Sequence, residues 1–290
     1  MTPHLKTWAA FFVAFLLFKN SVFATPKSYF LEIGPSVKTV KTGHFDFKTA
    51  KKPVVDTFFS HSVDEKEAAQ YLEKCKAATG KTNPSVLIYL HGMWGNKPYY
   101  LNDNALDFET DYATEGQNDV IIYLIWQGDA LIYRKNERQA AASVEQIAAI
   151  LNGFLTVKNV SLKLMCHSMG NFLFTKTIDK LNANGQAFDK ILLLAPDVDA
   201  AFFATQLPKL TMLTTEINVF YHRKDLFLRY SAFIHGGKRL GQFVDNQSVT
   251  QVKTFDCTAF RNTSIAGKFS RHLYFKTSVE TRRIIKSLMY

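Results

Sequence analysis

Six short apolar runs, set apart by polar and helix-forming stretches, constrain this chain more than any other feature of it. They lie at 86–90 (Val-Leu-Ile-Tyr-Leu), 119–126, around Leu162, Leu164 and Met165, and at 191–195, 217–221 and 252–255. Between them, residues 136–155 put Val144, Ile147, Ala148, Leu151 and Phe154 on one face at helical spacing. Helical stretches are also expected at 172–181 and 278–289. Strands that are apolar on both faces and alternate with helices pack as a parallel sheet covered on both sides. The N-terminal part reads differently. Residues 28–33, 45–47 and 53–59 alternate weakly and suit short antiparallel strands at one edge, and 64–78 combine strong helix formers with an acidic start. The expected fold class is α/β, with a mostly parallel central sheet, helices on both faces and antiparallel strands at the N-terminal edge. No linker rich in Pro, Gly or Ser divides the chain. Residues 25–290 are therefore expected to form a single domain, with its core from about residue 80 onward.

Residues 1–24 stand apart. Lys6 precedes an apolar run from Trp8 to Phe18, and Val22-Phe23-Ala24 offers small residues at the positions a signal peptidase reads. The expectation is an exported protein cleaved after Ala24, secreted or periplasmic, with an uncleaved N-terminal anchor as the competing reading. The apolar run falls short of the roughly 20 residues of a membrane span. The net charge of +10 comes from scattered Lys and Arg with no basic run. This disfavours a nucleic-acid partner. Of the three cysteines, Cys166 belongs in a buried strand, which leaves Cys75 and Cys257 as the pair an oxidising compartment could join. The acceptor motifs at Asn159, Asn246 and Asn262 matter only in a eukaryotic secretory pathway.

The third run carries the chemistry. Residues 161–171 read Ser-Leu-Lys-Leu-Met-Cys-His-Ser-Met-Gly-Asn: a strand, an abrupt turn at 167–170, and a helix at once. A turn of this kind holds Ser168 on a strained backbone and wants small neighbours. Gly170 supplies one, while Cys166 stands where a glycine is usual. A serine hydroxyl needs a base and a group that orients the base, and acyl transfer also needs donors for an oxyanion. In a parallel sheet those parts come from loops at the carboxyl ends of strands. The Met169 amide follows the serine directly. The loop at 91–96 (His-Gly-Met-Trp-Gly-Asn) offers the Met93 amide, with His91 shaping the loop.

Together, His91-Gly92-Met93-Trp94-Gly95, the segment 166–171 and Ala195-Pro196-Asp197-Val198-Asp199 resemble the α/β-hydrolase superfamily, in a branch of bacterial esterase- and lipase-like hydrolases of poorly known substrate. The resemblance covers about residues 80–290. It implies a triad in the chain order Ser, acid, His. Asp225, after the fifth run, is where the superfamily usually places the acid. Asp199 or Asp197, after the fourth run, is the alternative, although both also suit helix capping ahead of Ala200-Ala201-Phe202-Phe203. Three histidines follow the serine: His222, abutting the fifth run; His235, suited to lining a pocket; and His272, between the last run and the last helix, where the fold puts its base.

The expected activity is cleavage of a carboxylic ester, small or lipid-like. Ser168 would attack, His272 take its proton, Asp225 orient the imidazole, and the Met93 and Met169 amides hold the oxyanion. An acyltransferase on the same scaffold and an inert binding protein are the alternatives. The sequence calls for no cofactor or metal.

Overall fold

The computed structural model describes residues 27–34, 38–45, 53–97, 106–113, 118–182, 187–242, 252–263 and 270–290. The leader read at residues 1–24, the strand residues 46–47 and the motif at Asn246 lie outside them.

Among the described residues, nine strands form one sheet in the order β3-β2-β1-β5-β4-β6-β7-β8-β9. They are β1 (Lys27–Ile33), β2 (Val40–Phe45), β3 (Pro53–Phe59), β4 (Ser85–Leu90), β5 (Val120–Ile125), β6 (Ser161–His167), β7 (Lys190–Leu194), β8 (Ile217–Tyr221) and β9 (Val252–Asp256). Pairing from β5 through β4 to β9 is parallel throughout. The fold class expected from the sequence is therefore the one observed, with β1-β2-β3 as an antiparallel meander at the edge. One detail differs: β1 also pairs parallel with β5, Lys27 opposite Val120 through Glu32 opposite Ile125, and so joins the meander to the main sheet. The weak alternation of β1 carries no information about that neighbour. β9, read as one of the apolar runs, is a mostly exposed edge strand.

The helices are α1 (Glu65–Ala77), α2 (106–112), α3 (Tyr133–Ala142), α4 (Val144–Thr156), α5 (Met169–Thr177), α6 (Ala200–Leu213), α7 (Leu226–His235), α8 (Tyr274–Thr277) and α9 (Val279–Leu288). Side chains alternate across each strand, so two cores form, one on each face of the sheet. Val86, Ile88, Leu90, Leu164 and Cys166 point to the first. Leu87, Tyr89, Ile121, Tyr123 and Met165 point to the second. Cys75 is buried in the first core and Cys257 in the second, so the sheet separates them and both are free thiols, as is Cys166. The expected disulfide does not form. Burial pushes the thiols of Cys75 and Cys257 up to about 12.

The single helix read at 136–155 is two helices. The Ser143 hydroxyl donates to the Gln139 carbonyl (2.9 Å), one turn back, and its N–H is shared between Gln139 and Ala140. Such back-bonding diverts a helical acceptor and bends the chain. α7 was not read from the sequence at all, although Asp225 as N-cap and the left-handed Gly236 (φ 69°) as C-cap are its start and stop signals. Among the described residues no helix is long and apolar enough to cross a membrane.

Candidate active site

The chain leaves β4 toward β5 on one side of the sheet and leaves β6 toward β7 on the other. Loops at the carboxyl ends of β4 and β6 diverge there, and that topology opens a crevice. Ser168 follows β6 at this point with φ 52° and ψ −122°, a conformation costly for any residue with a side chain. The turn is held from several sides. The Ser168 N–H donates to the Leu194 carbonyl (2.9 Å), and the Ser168 carbonyl accepts from the amides of Asn171 (3.0 Å) and Asp197 (3.2 Å). The Asn171 side chain donates to both the Ser168 and Leu194 carbonyls. Two glycines give the necessary room. A Cβ on Gly170 would lie 2.5 Å from the carbonyl oxygens of Leu90 and His91, and one on Gly92 would lie 2.8 Å from Ser168 Cβ. Cys166 is accommodated because its side chain points into the first core, away from these contacts.

Three elements then converge. Asp225, at the start of α7, extends Oδ1 to the Leu228 amide (3.1 Å) and Oδ2 to His272 Nδ1 (2.7 Å). His272 Nε2 lies 2.9 Å from Ser168 Oγ. A carboxylate only accepts, so Nδ1 carries the ring proton and Nε2 is left to accept from the serine hydroxyl. All three side chains are buried. Burial acts to lower the pKa of His272, but the charge of Asp225 and its hydrogen bond, with a contribution from Asp197, outweigh it and raise the value above 6.5. Phe227 packs against the ring at 5.1 Å between centroids.

A cavity of ≈ 620 Å³ opens beside Ser168 and His272. Its walls are mostly apolar: Met93 and Trp94 from the loop after β4, Leu131 and Ile132 ahead of α3, and Phe227 and Tyr230 from α7. Met169 also borders it, as the first residue of α5, where an amide has no carbonyl one turn earlier in the helix. Among the described residues, neither the Met93 nor the Met169 N–H donates to a protein acceptor. Trp94 (φ 65°) is fixed by its N–H to the Gly128 carbonyl (2.5 Å) and its indole N–H to the Ala130 carbonyl (3.0 Å).

The other residues singled out from the sequence stand elsewhere. Asp199 caps α6, accepting from the Ala201 and Phe202 amides (3.0 Å each). Asp197 caps nothing. It is buried in the cavity wall, where Tyr133 donates to Oδ2 (2.5 Å), Ser231 donates to Oδ1 (2.6 Å) and Arg239 Nε lies 3.4 Å away. His91 accepts from the Trp126 amide at Nε2 (3.1 Å) and donates from Nδ1 to the Gly92 carbonyl (2.6 Å), so it shapes the loop. Burial pushes its pKa down to about 4. His222 is buried and accepts from the Lys224 amide (3.1 Å). His235 is turned from the cavity onto Glu137 (2.8 Å). The sequence reading missed His167, which borders the cavity with its ring 4.9 Å from that of His272. Burial, then the neighbouring His272, drives its pKa well below 6.5, so it remains a neutral ring. Tyr133, Ser231 and Arg239 were missed too, since nothing local marks them as partners of Asp197. Among the described residues no group of three or more His, Cys, Asp or Glu is arranged to hold a metal ion.

A family model described as "Alpha/beta hydrolase of unknown function (DUF900)" matches residues 65–286. Among solved structures, a candidate cell surface hydrolase from Lactobacillus plantarum WCFS1 is similar over 72% of this chain and 98% of its own, at 10% identity and a TM-score of 0.36. Phospholipase PlaB from Legionella pneumophila, in complex with thio-NAD, is similar over 49% of this chain and 39% of its own, at 14% identity and a TM-score of 0.24. No curated protein matches the chain.

Proposed function

Since the chain belongs to the α/β-hydrolase family matched over residues 65–286, we propose that it is an exported serine hydrolase cleaving carboxylic esters through an acyl-enzyme. One observation carries this reading: the unbroken run of hydrogen-bond distances from Ser168 Oγ through His272 to Asp225, 2.9 and 2.7 Å, beside an apolar cavity. Ser168 attacks the ester carbonyl while His272 Nε2 takes its proton, and Asp225 stabilises the imidazolium that forms. The Met93 and Met169 amides receive the oxyanion, which is where fixed donors lower the barrier most. The imidazolium returns the proton to the departing alkoxide oxygen. Water, activated by the same ring, then adds to the acyl carbon and releases Ser168. The charge of Asp225 raises the pKa of His272, which makes the ring a better acceptor of the serine proton. The apolar walls suit an acyl chain. Export rests on the leader read in residues 1–24, and residues 25–290 are taken as one domain.

A fluorophosphonate probe tests the nucleophile. It should label Ser168 alone, and the Ser168→Ala variant should resist labelling and lose hydrolysis of short-chain nitrophenyl esters. Label on another residue, or hydrolysis retained by the variant, would overturn the reading.

A further inference from the structure

The surface around the cavity mouth is built against the usual pattern of a soluble helix. α7 buries Leu228 and Ser231 inward, yet Leu226, Tyr230 and Phe233 form a second apolar stripe, at i, i+4 and i+7, on its exposed side. Leu131 and Ile132, just ahead of α3, stand beside it and are 91% and 67% exposed; Phe233 is 86% exposed. These residues share one rim. Leu131, Ile132 and Tyr230 line the same cavity, Tyr133 meets Tyr230 edge-on, and Arg134 donates to the Ile234 carbonyl (3.2 Å). Thirteen large apolar side chains are exposed among the described residues, and six of them lie in these two short segments, which sets the rim apart from ordinary scatter.

The exposed charges on α3 and α7 have one sign, and Asp129, just ahead of Leu131, is paired with Lys97 (3.4 Å). Arg134, Lys135 and Arg138 on α3 and Arg229 on α7 are exposed. The two acids on the same segments face elsewhere: Asp225 is buried against His272, and Glu137 is paired with His235. A patch of protruding apolar side chains ringed by cations is complementary to a bilayer with anionic headgroups, where the apolar tips enter the acyl boundary and the cations meet phosphate. We propose that this rim docks on an anionic lipid surface, so that the cavity mouth opens onto the membrane and the substrate is an acyl lipid drawn from it. The substrate half of the proposal rests on the ester-hydrolase reading; the docking half does not.

Flotation of the protein with vesicles tests it. Wild type should float with vesicles of phosphatidylcholine and phosphatidylglycerol at about three to one, and less with phosphatidylcholine alone or in high salt. Leu131→Asp combined with Phe233→Asp should weaken binding at least about tenfold, as expected for losing two inserted apolar side chains. Arg138→Glu should weaken binding to the anionic vesicles about fivefold or more and leave phosphatidylcholine binding unchanged. Phe233→Asp alone, on a fully solvated position outside the cavity, should keep turnover of a soluble nitrophenyl ester, which shows that the fold is intact. Failure of wild type to bind anionic vesicles would overturn the docking. So would binding indifferent to these substitutions, or a wild-type dimer that Phe233→Asp converts to monomer. Release of fatty acid from the bound vesicles by wild type and not by Ser168→Ala supports the substrate class; docking and soluble-ester turnover without that release would overturn it. Docking by a protein that no fluorophosphonate labels would instead remove the hydrolase reading and leave the docking standing.

Discussion

Two carboxylates follow adjacent strands at the same edge of the sheet, Asp197 after β7 and Asp225 after β8, and both are buried. Their surroundings differ. Asp225 spends one oxygen on the first turn of α7 and the other on His272, so its position is fixed by a helix terminus and its charge is felt by an imidazole. Asp197 is enclosed by the Tyr133 and Ser231 hydroxyls with Arg239 at 3.4 Å, an arrangement in which its charge is answered within the wall. Chemical identity and strand position are therefore not enough to assign a role to an acid. What the carboxylate faces decides whether it chiefly tunes a neighbouring imidazole, as Asp225 does, or chiefly ties elements together and adds only a smaller, more distant contribution, as Asp197 does.

The proposed mechanism makes this contrast measurable. Removing the nucleophile, Ser168→Ala, sets the upper bound, a loss of about 10⁶ in kcat by analogy with other triads. Asp225→Asn should cost about 10⁴ in kcat with the fold retained, because the imidazole loses the partner that fixes its tautomer. Asp197→Asn should act in the opposite sense. It should leave kcat far closer to wild type but lower stability by about 3 kcal/mol, since Arg239 would remain buried without its counter-charge; the midpoint of denaturant unfolding checks this. A kcat loss for Asp197→Asn as large as that for Asp225→Asn would collapse the distinction between the two acids.

The smallest effect concerns pH. His272 must be neutral to accept the serine proton, so kcat/KM should fall as pH drops through its raised pKa. The acid limb should therefore lie above about 6.5, the ordinary imidazole value. Asp197 contributes to that rise, so Asp197→Asn should move the limb down, whereas a purely structural Asp197 would leave it in place. The same raised pKa affects stability with the reverse sign. The folded state favours the charged ring, so this contribution is full below the unfolded value of about 6.5 and is lost as pH rises through the folded one.

Much of the fold was legible because it rests on local periodicity. The parallel strands β4 to β8 are apolar on both faces, and a run such as 86–90 announces that without reference to anything distant. The turn at Ser168 was legible for a related reason: a positive φ flanked by Gly170 is a local demand on the chain. Asp225 and His272 were preferred because the resemblance to the superfamily places the acid and the base there, with Asp199 or Asp197 left open as the acid, and the structure brings Asp225 and His272 to hydrogen-bond distance of one another and His272 to that of Ser168. Other features escaped. The parallel pairing of β1 with β5, the break at Ser143 and the separation of Cys75 from Cys257 depend on which face or neighbour a segment finds after the chain has closed on itself.

The sequence by itself determined the sheet, the strained serine and a short list of acids and histidines, because periodicity and turn chemistry act over a few residues. Only the tertiary structure decided which acid meets the imidazole, what surrounds Asp197 and which apolar side chains stay outside. Those outcomes depend on contacts between residues 34 to 104 positions apart. Burial in a low-dielectric interior makes such pairings strong without leaving any mark on the local pattern.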